Sequence, residues 1–177
     1  MLVETLLWEG FTGPSRLVDE ELSAVVHSEK LASTMALRMD SLAFRSAMCL
    51  EEVPLCDGLF WGLSREEEKE PKVHFLFVEF KGKAITHAVE QLARSIGLVR
   101  THLQGELSEP ALNRTLFSSV IVSDRAGPGR GVSTADVRRF KREFNSTLYV
   151  RSAQRRGASI DLSNELWRRA TGPEGPI

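Results

Sequence analysis

The chain has 177 residues, of which 42% are hydrophobic, and a formal net charge of −1. This length and composition suffice for one domain with its own core and exclude a disordered chain. The cysteines Cys49 and Cys56 are too few for a disulfide framework and lack CxxC spacing, so we expect two buried thiols. The sequence has no run of about 20 apolar residues and no signal-peptide pattern at its start. We therefore expect a cytoplasmic protein without a membrane partner.

Charge is unevenly distributed along the chain. Residues 1–80 contain 7 Lys and Arg against 15 Asp and Glu, whereas residues 81–177 contain 16 against 9. The basic residues are densest in segment 138–156, where Glu143 is the acidic residue and the basic ones are Arg138, Arg139, Lys141, Arg142, Arg151, Arg155 and Arg156. Such a block suits contacts with nucleic-acid phosphates, although a solvated helix face has the same composition.

The first half of the chain predicts a helix and then strands. Apolar residues recur at helical spacing from Leu17 to Met39, so we expect a first helix there, which either runs on or breaks near Ser33. The mixed segment 42–50 is expected to form a strand, or alternatively to extend this helix. The short aromatic segment 56–63 and the apolar run 73–81 are expected to form two more.

The second half predicts alternating helices and strands. The clearest helix has one apolar face, which consists of Ile85, Ala88, Val89, Leu92, Ile96, Val99 and Leu103. A strand is expected over 116–122. A helix capped by Ser133 or Thr134 is expected to end near Phe144, and a short strand over 148–150 follows.

These elements predict one α/β domain spanning 1–177, with its core in about 15–150. The last residues, 172–177, are expected to fray. A loop rich in Gly and Pro at 127–131 contains Arg130, which we expect to reach a substrate phosphate; alternatively the loop is a plain connection.

The sequence Glu79-Phe80-Lys81, at the end of the apolar run, is the clearest candidate site. Side chains alternate along a strand, so Glu79 and Lys81 lie on one face about 7 Å apart. The same Glu-x-Lys spacing occurs twice more, but both of these matches lie in the charged connection 64–72 and not at the end of an apolar strand. Antiparallel pairing across that connection places Asp57 opposite about Phe80. We therefore expect Asp57, Glu79 and Lys81 to share one site.

These residues resemble the motif of the PD-(D/E)xK nuclease superfamily, which has the restriction-endonuclease-like fold. The resemblance covers about 15–123, in the order helix, strand, strand with Asp, strand with Glu-x-Lys, helix, strand. It implies a three-layer α/β core in which a mixed central sheet is flanked by helices. One departure is that Pro54 lies three residues before Asp57 instead of directly before it.

The resemblance also implies roles for individual residues. Asp57 and Glu79 are expected to bind Mg²⁺ or Mn²⁺ together with the backbone carbonyl of Phe80. Lys81 is expected to orient or help deprotonate the attacking water, and Gln91 to belong to the catalytic site. Hard cations prefer oxygen ligands and keep several waters, so this donor set is chemically suitable.

Further side chains are expected to hold the substrate. His87 lies four residues before Gln91 on the predicted helix, so both side chains can face one cleft. The basic residues expected to contact DNA phosphates are Arg94 or Arg100, Arg130, Arg138, Arg139, Lys141 and Arg142.

The sequence therefore predicts a metal-dependent nuclease that hydrolyses phosphodiesters in DNA rather than RNA, acting alone, as a homodimer or in a larger complex. The alternative is a non-catalytic nucleic-acid or protein interaction module on the same fold, with a structural ion pair in place of the active site. No helix-turn-helix or zinc-finger pattern supports reading of a specific base sequence.

Overall fold

The structure is a computed structural model that describes residues 11–13, 16–19, 22–26, 31–64, 72–81, 85–123, 132–153 and 159–167. These residues form strands and helices in alternation. The strands are β1 (Phe11–Gly13), β2 (Arg16–Asp19), β3 (Leu22–Val25), β4 (Leu31–Arg38), β5 (Gly58–Ser64), β6 (Val73–Phe80), β7 (Thr115–Ser123), β8 (Ser146–Ser152) and β9 (Ser159–Asp161). The helices are α1 (Leu42–Ala47), α2 (Ile85–Glu106), α3 (Glu109–Asn113), α4 (Thr134–Phe144) and α5 (Ser163–Trp167).

Six strands form one mixed sheet in the order β1-β4-β5-β6-β7-β8. The pairs from β1 to β6 are antiparallel, whereas β6, β7 and β8 are parallel. Helix α2 connects β6 to β7, and α4 lies between β7 and β8 in the chain, as parallel neighbours require a crossover. The strands β2, β3 and β9 form a second, smaller sheet.

The large sheet lies between two hydrophobic clusters. The face that carries Phe75 and Phe77 packs against α2 and α4. The face that carries Leu76 and Val78 packs against the small sheet and α5. Burial on both faces explains why β6 is a continuous apolar run instead of an alternating one. The predicted α/β class is confirmed, but one face of the sheet is covered mainly by a second sheet instead of by helices.

The later elements agree with the sequence prediction. Strands β5, β6, β7 and β8 and helices α2 and α4 all occur within a few residues of their expected bounds. Helix α4 begins at a capping box, in which the Ser133 hydroxyl accepts a hydrogen bond from the Asp136 amide at 3.1 Å. The Asp136 carboxylate accepts one from the Ser133 amide, also at 3.1 Å. These contacts satisfy two amides that a helix start otherwise leaves unpaired.

The predicted first helix is wrong, because residues between Leu17 and Met39 form strands β2, β3 and β4. Strand β4 lies inside the large sheet between β1 and β5. Its residue Ala36 belongs to one hydrophobic cluster and Leu37 to the other, so apolar residues follow one another without strand-like alternation. A strand that is buried on both faces has no period-two signal, and the run was read as helical.

The predicted strand at 42–50 is also wrong, since it contains the short helix α1. The Ser41 hydroxyl accepts a hydrogen bond from the Phe44 amide at 3.2 Å and caps this helix. Phe44 is the buried residue of the helix, so no apolar stripe marks it in the sequence.

Two smaller predictions need correction. Gly58 pairs with Val78, so Asp57 comes level with Glu79 instead of Phe80. Cys56 is buried as expected, whereas Cys49 is exposed, in a turn where its φ is 55°.

Some predictions concern residues outside the described ranges, namely Arg130, the 127–131 loop, Arg155, Arg156 and the tail 172–177. In the described ranges, no helix combines the length and apolar composition needed to cross a membrane.

Candidate functional site

Asp57 and Glu79 meet where β5 begins and β6 ends. The amide of Asp57 donates a hydrogen bond to Glu79 Oε2 at 3.1 Å. The amide of Phe80 donates one to Asp57 Oδ2 at 2.6 Å. Each carboxylate therefore accepts a hydrogen bond from the backbone at or next to the other acidic residue. These two bonds hold the carboxylates together although 22 residues separate them in the chain.

Lys81 completes this group from the residue after β6. Its Nζ lies 2.7 Å from Glu79 Oε1, and the Lys81 amide donates to the Val122 carbonyl at 2.8 Å. The Glu79 side chain is fully buried, while 27% of the Lys81 side chain is exposed. Among the described residues, no group donates to Glu79 Oε1 with good hydrogen-bond geometry, so we assign the contact with Lys81 as an ion pair. The ammonium is thus the link between a buried carboxylate and solvent.

The environment strongly disfavours a charged Glu79. Burial, followed by repulsion from the Asp57 carboxylate, raises the pKa of Glu79 to about 8, against the opposing effect of Lys81. A cation bound at this site would therefore compete with a proton for Glu79. The same burial raises the pKa of the Cys56 thiol far above its ordinary value, so that this thiol stays protonated.

Helix α2 fixes the backbone that leads into Asp57. Gln91 Nε2 donates to the Leu55 carbonyl at 2.9 Å. Ser95 Oγ accepts from the Cys56 amide at 2.9 Å and donates to the Gln91 carbonyl at the same distance. From the other side, the amide of Met39 donates to the Asp57 carbonyl at 3.2 Å. The predicted site residue Gln91 therefore positions the segment before Asp57.

A cavity of about 420 Å³ adjoins this group. Its walls include Lys81 and Gln91, which also belong to the Asp57 and Glu79 network. The lining residues are Pro54, Lys81, His87, Glu90, Gln91 and Arg94. The expectation that His87 and Gln91 face one cleft agrees with this lining.

Arg94 and Arg100 lie in different places on α2. Arg94 lines the cavity. Arg100 donates to the Glu143 carbonyl at 2.8 Å and its guanidinium lies 5.8 Å from the centre of the Phe117 ring. Nine residues of helix separate Arg100 from Gln91, which corresponds to about 13 Å. Of the two arginines, the structure places Arg94 beside the site.

The basic residues of α4 lie near Arg100. Arg139 and Arg142 contact the Glu143 carboxylate at 3.0 and 3.1 Å, and these hydrogen bonds lower the pKa of Glu143. Phe117, next to Arg100, is four strand positions from Ile121, the partner of Glu79 in the sheet. This offset corresponds to about 13 Å along the sheet. The side chains of Arg138, Lys141 and Arg142 are exposed and form, with half-buried Arg139, a basic surface on α4.

Arg151 belongs to the opposite face of the molecule. Its guanidinium contacts the Glu165 carboxylate, which is almost fully buried, and lies 5.7 Å from the centre of the Tyr149 ring. This member of the basic segment is therefore engaged in an internal ion pair between β8 and α5.

Sequence analysis missed Ser95 and Glu90. Ser95 is fully buried on the apolar stripe of α2, between Leu92 and Ile96 in the chain. A hydroxyl on such a stripe is itself a signal, because a buried polar group requires a partner. Glu90 directly precedes Gln91 and carries no comparable signal.

Within the described ranges, no three or more His, Cys, Asp or Glu side chains form a group that could hold a metal. A cation at this site would therefore depend on the two carboxylates, a backbone carbonyl and water. No family model, curated protein or solved structure matches the chain.

Proposed function

We propose that this protein is a metal-dependent nuclease that hydrolyses phosphodiester bonds in DNA. The observation that carries the proposal is the pairing of Asp57 and Glu79 at the strand ends, with Lys81 Nζ 2.7 Å from Glu79 Oε1. The order β5, β6, α2, β7, with the short helix α3 before β7, also supports a restriction-endonuclease-like core, because it follows the resemblance from the strand with Asp onward.

The donor set fits a hard divalent cation. Asp57, Glu79 and the Phe80 carbonyl offer oxygen atoms, which Mg²⁺ and Mn²⁺ prefer, and no soft sulfur ligand competes because the Cys56 thiol stays protonated. Glu79 Oε1 is a buried carboxylate oxygen whose described contact is a lysine. A bound cation would lower the pKa of water and stabilise negative charge on the phosphodiester.

The other roles at the proposed site belong to side chains of the protein. Lys81 is partly exposed and borders the cavity, so its ammonium would face an arriving substrate. With a cation as the counter-charge of Glu79, the ammonium would be available to the scissile phosphate and to the attacking water. Gln91 and Ser95 keep Asp57 in place by holding the backbone of Leu55 and Cys56.

The basic surface on α4 would hold substrate beyond the cleavage point. Exposed Arg138, Lys141 and Arg142 would contact backbone phosphates there without reading bases. Arg100 has no part in this, because its guanidinium is engaged by Glu143 and Phe117.

One observation favours a second candidate, a non-catalytic interaction module on the same fold. Glu79 is fully buried, accepts from the Asp57 amide and pairs with Lys81, which is the pattern of a structural ion pair at a strand end. Such a module would need no cation at these residues.

The test is cleavage of plasmid, linear duplex and single-stranded DNA with Mg²⁺, Mn²⁺ or EDTA. Asp57→Asn keeps an oxygen that can accept from the Phe80 amide but removes the charge, and Asp161→Asn, on β9, is the matched control. Cation-dependent cutting that is lost in Asp57→Asn and retained in Asp161→Asn is the expected result. If no substrate is cut and neither cation raises the melting temperature of the wild type, the interaction module replaces the nuclease.

A further inference from the structure

The wall of the cavity beside Lys81 contains two cationic side chains, Lys81 and Arg94, and one acidic side chain, Glu90. Lys81 is already paired with Glu79 at 2.7 Å. Arg94 has no ion-pair partner among the described residues, and this includes Glu90, one helical turn before it. An anionic ligand in the cavity would therefore meet the Arg94 guanidinium, whose fork of donors matches the oxygens of a phosphate.

The size of the cavity indicates more than a phosphate. A volume of about 420 Å³ is within the range of sites that hold a small organic ligand. A phosphate with its sugar and base, taken out of the helical stack, would use both the charge of Arg94 and the hydrogen-bonding side chains of His87, Glu90 and Gln91.

We propose that this cavity binds one unstacked nucleotide of the substrate, with Arg94 on its phosphate. The role in a substrate rests on the proposed nuclease function, whereas nucleotide binding itself does not. The nucleotide is either the end of a strand or an internal nucleotide that is unstacked from its neighbours.

Binding is tested with deoxyadenosine monophosphate in EDTA, followed by chemical-shift changes on the wild type, Arg94→Gln and Arg100→Gln. Arg94 is exposed, so its replacement is not expected to affect folding, and the melting temperature checks this. We expect Arg94→Gln to weaken binding about tenfold, as expected for one lost charge-assisted contact, and Arg100→Gln to leave it unchanged. Deoxyadenosine and inorganic phosphate, each used alone, are expected to bind more weakly than the nucleotide.

Equal binding by wild type and Arg94→Gln, or no binding by the wild type, overturns the inference even if the protein cuts DNA. Nucleotide binding that depends on Arg94 in a protein that cuts nothing leaves the inference standing and removes the nuclease. Cleavage of linear and circular single strands then separates the two sources. If Arg94→Gln loses cleavage of linear strands alone, the bound nucleotide is a strand end. If it loses cleavage of linear and circular strands equally, the bound nucleotide is an internal one.

Discussion

The backbone amide of Asp57 donates a hydrogen bond to the buried carboxylate of Glu79, at 3.1 Å. This bond connects the start of β5 to the end of β6. A second bond connects them in the opposite direction, because the Phe80 amide donates to the Asp57 carboxylate at 2.6 Å. The protonation of one buried acid is thereby connected to the geometry of the whole candidate site.

Glu79→Gln should stabilise the protein increasingly as pH rises. Because burial and Asp57 raise the pKa of Glu79 to about 8, the folded wild type keeps a proton that the unfolded chain releases near pH 4.5. The contribution of Glu79 to stability is therefore present below about pH 4.5 and is lost as pH rises through about 8. The glutamine does not titrate, so the variant should not lose stability in this way. Its free energy of unfolding should exceed that of the wild type by on the order of 1–3 kcal/mol at pH 9. Thermal melts from pH 5 to 9 measure this, and parallel curves for the two proteins would contradict it.

Cation affinity should depend on the same proton. Mn²⁺ requires an ionised Glu79, so binding should strengthen by about tenfold per pH unit below the pKa and level off above it. Because that pKa is about 8, the change should fall between pH 6 and 8. Calorimetric titration of the apoprotein with Mn²⁺ in buffers of different ionisation enthalpy counts the released proton. Affinity that is constant from pH 6 to 8 would show that Glu79 is not a ligand.

Lys81→Ala should abolish cleavage and leave DNA binding largely intact. The ammonium lies 2.7 Å from Glu79 Oε1, and losing one such electrostatic group typically costs about 10²–10³-fold in rate. DNA binding is measured in EDTA by fluorescence anisotropy, since the phosphate contacts proposed for α4 do not involve Lys81. Lys72→Ala, at the other end of β6, is the matched control and should cut like the wild type. A Lys81→Ala protein that cuts as fast as the wild type would remove the catalytic assignment.

The sequence predicted the proximity of Asp57, Glu79 and Lys81 better than it predicted the first part of the fold. The end of β6 is recognisable because charged residues follow an apolar run, and that contrast needs no tertiary information. Strand β4 has no such contrast, since both of its faces are buried, and α1 buries little besides Phe44. The contacts that hold Asp57 depend on α2 lying over the sheet. Spacing along the chain therefore could not reveal that Gln91 and Ser95 bond to the Leu55 and Cys56 backbone.

Ser95→Ala should weaken both the fold and the site. It leaves the buried amide of Cys56 without its acceptor, at a cost of about 1–3 kcal/mol. Ser119→Ala is the matched control, because that buried hydroxyl contacts only the Ser146 hydroxyl, at 3.3 Å, among the described hydrogen bonds. Chemical denaturation should show a larger loss for Ser95→Ala than for Ser119→Ala, and Mn²⁺ affinity should fall only in the former. Equal losses of stability with unchanged Mn²⁺ affinity would mean that Ser95 does not position Asp57.

Gly58→Ala tests the close approach of the small sheet directly after Asp57. A Cβ at Gly58 would lie 2.5 and 2.7 Å from the methyl carbons of Leu17, on β2, and 3.0 Å from the Leu37 carbonyl oxygen. Leu17 can shift but the backbone of β4 cannot, so we expect a loss of about 1–3 kcal/mol in the free energy of unfolding. Gly97→Ala is the control, since nothing lies within 4 Å of its added carbon and an alanine inside α2 should gain about 0.5–1 kcal/mol. Adding Leu17→Ala to Gly58→Ala should recover part of the loss, which a double-mutant cycle measures as a favourable coupling. A cycle with no coupling would mean that Leu17 does not limit the space at Gly58, and that the small sheet does not constrain the backbone beside Asp57.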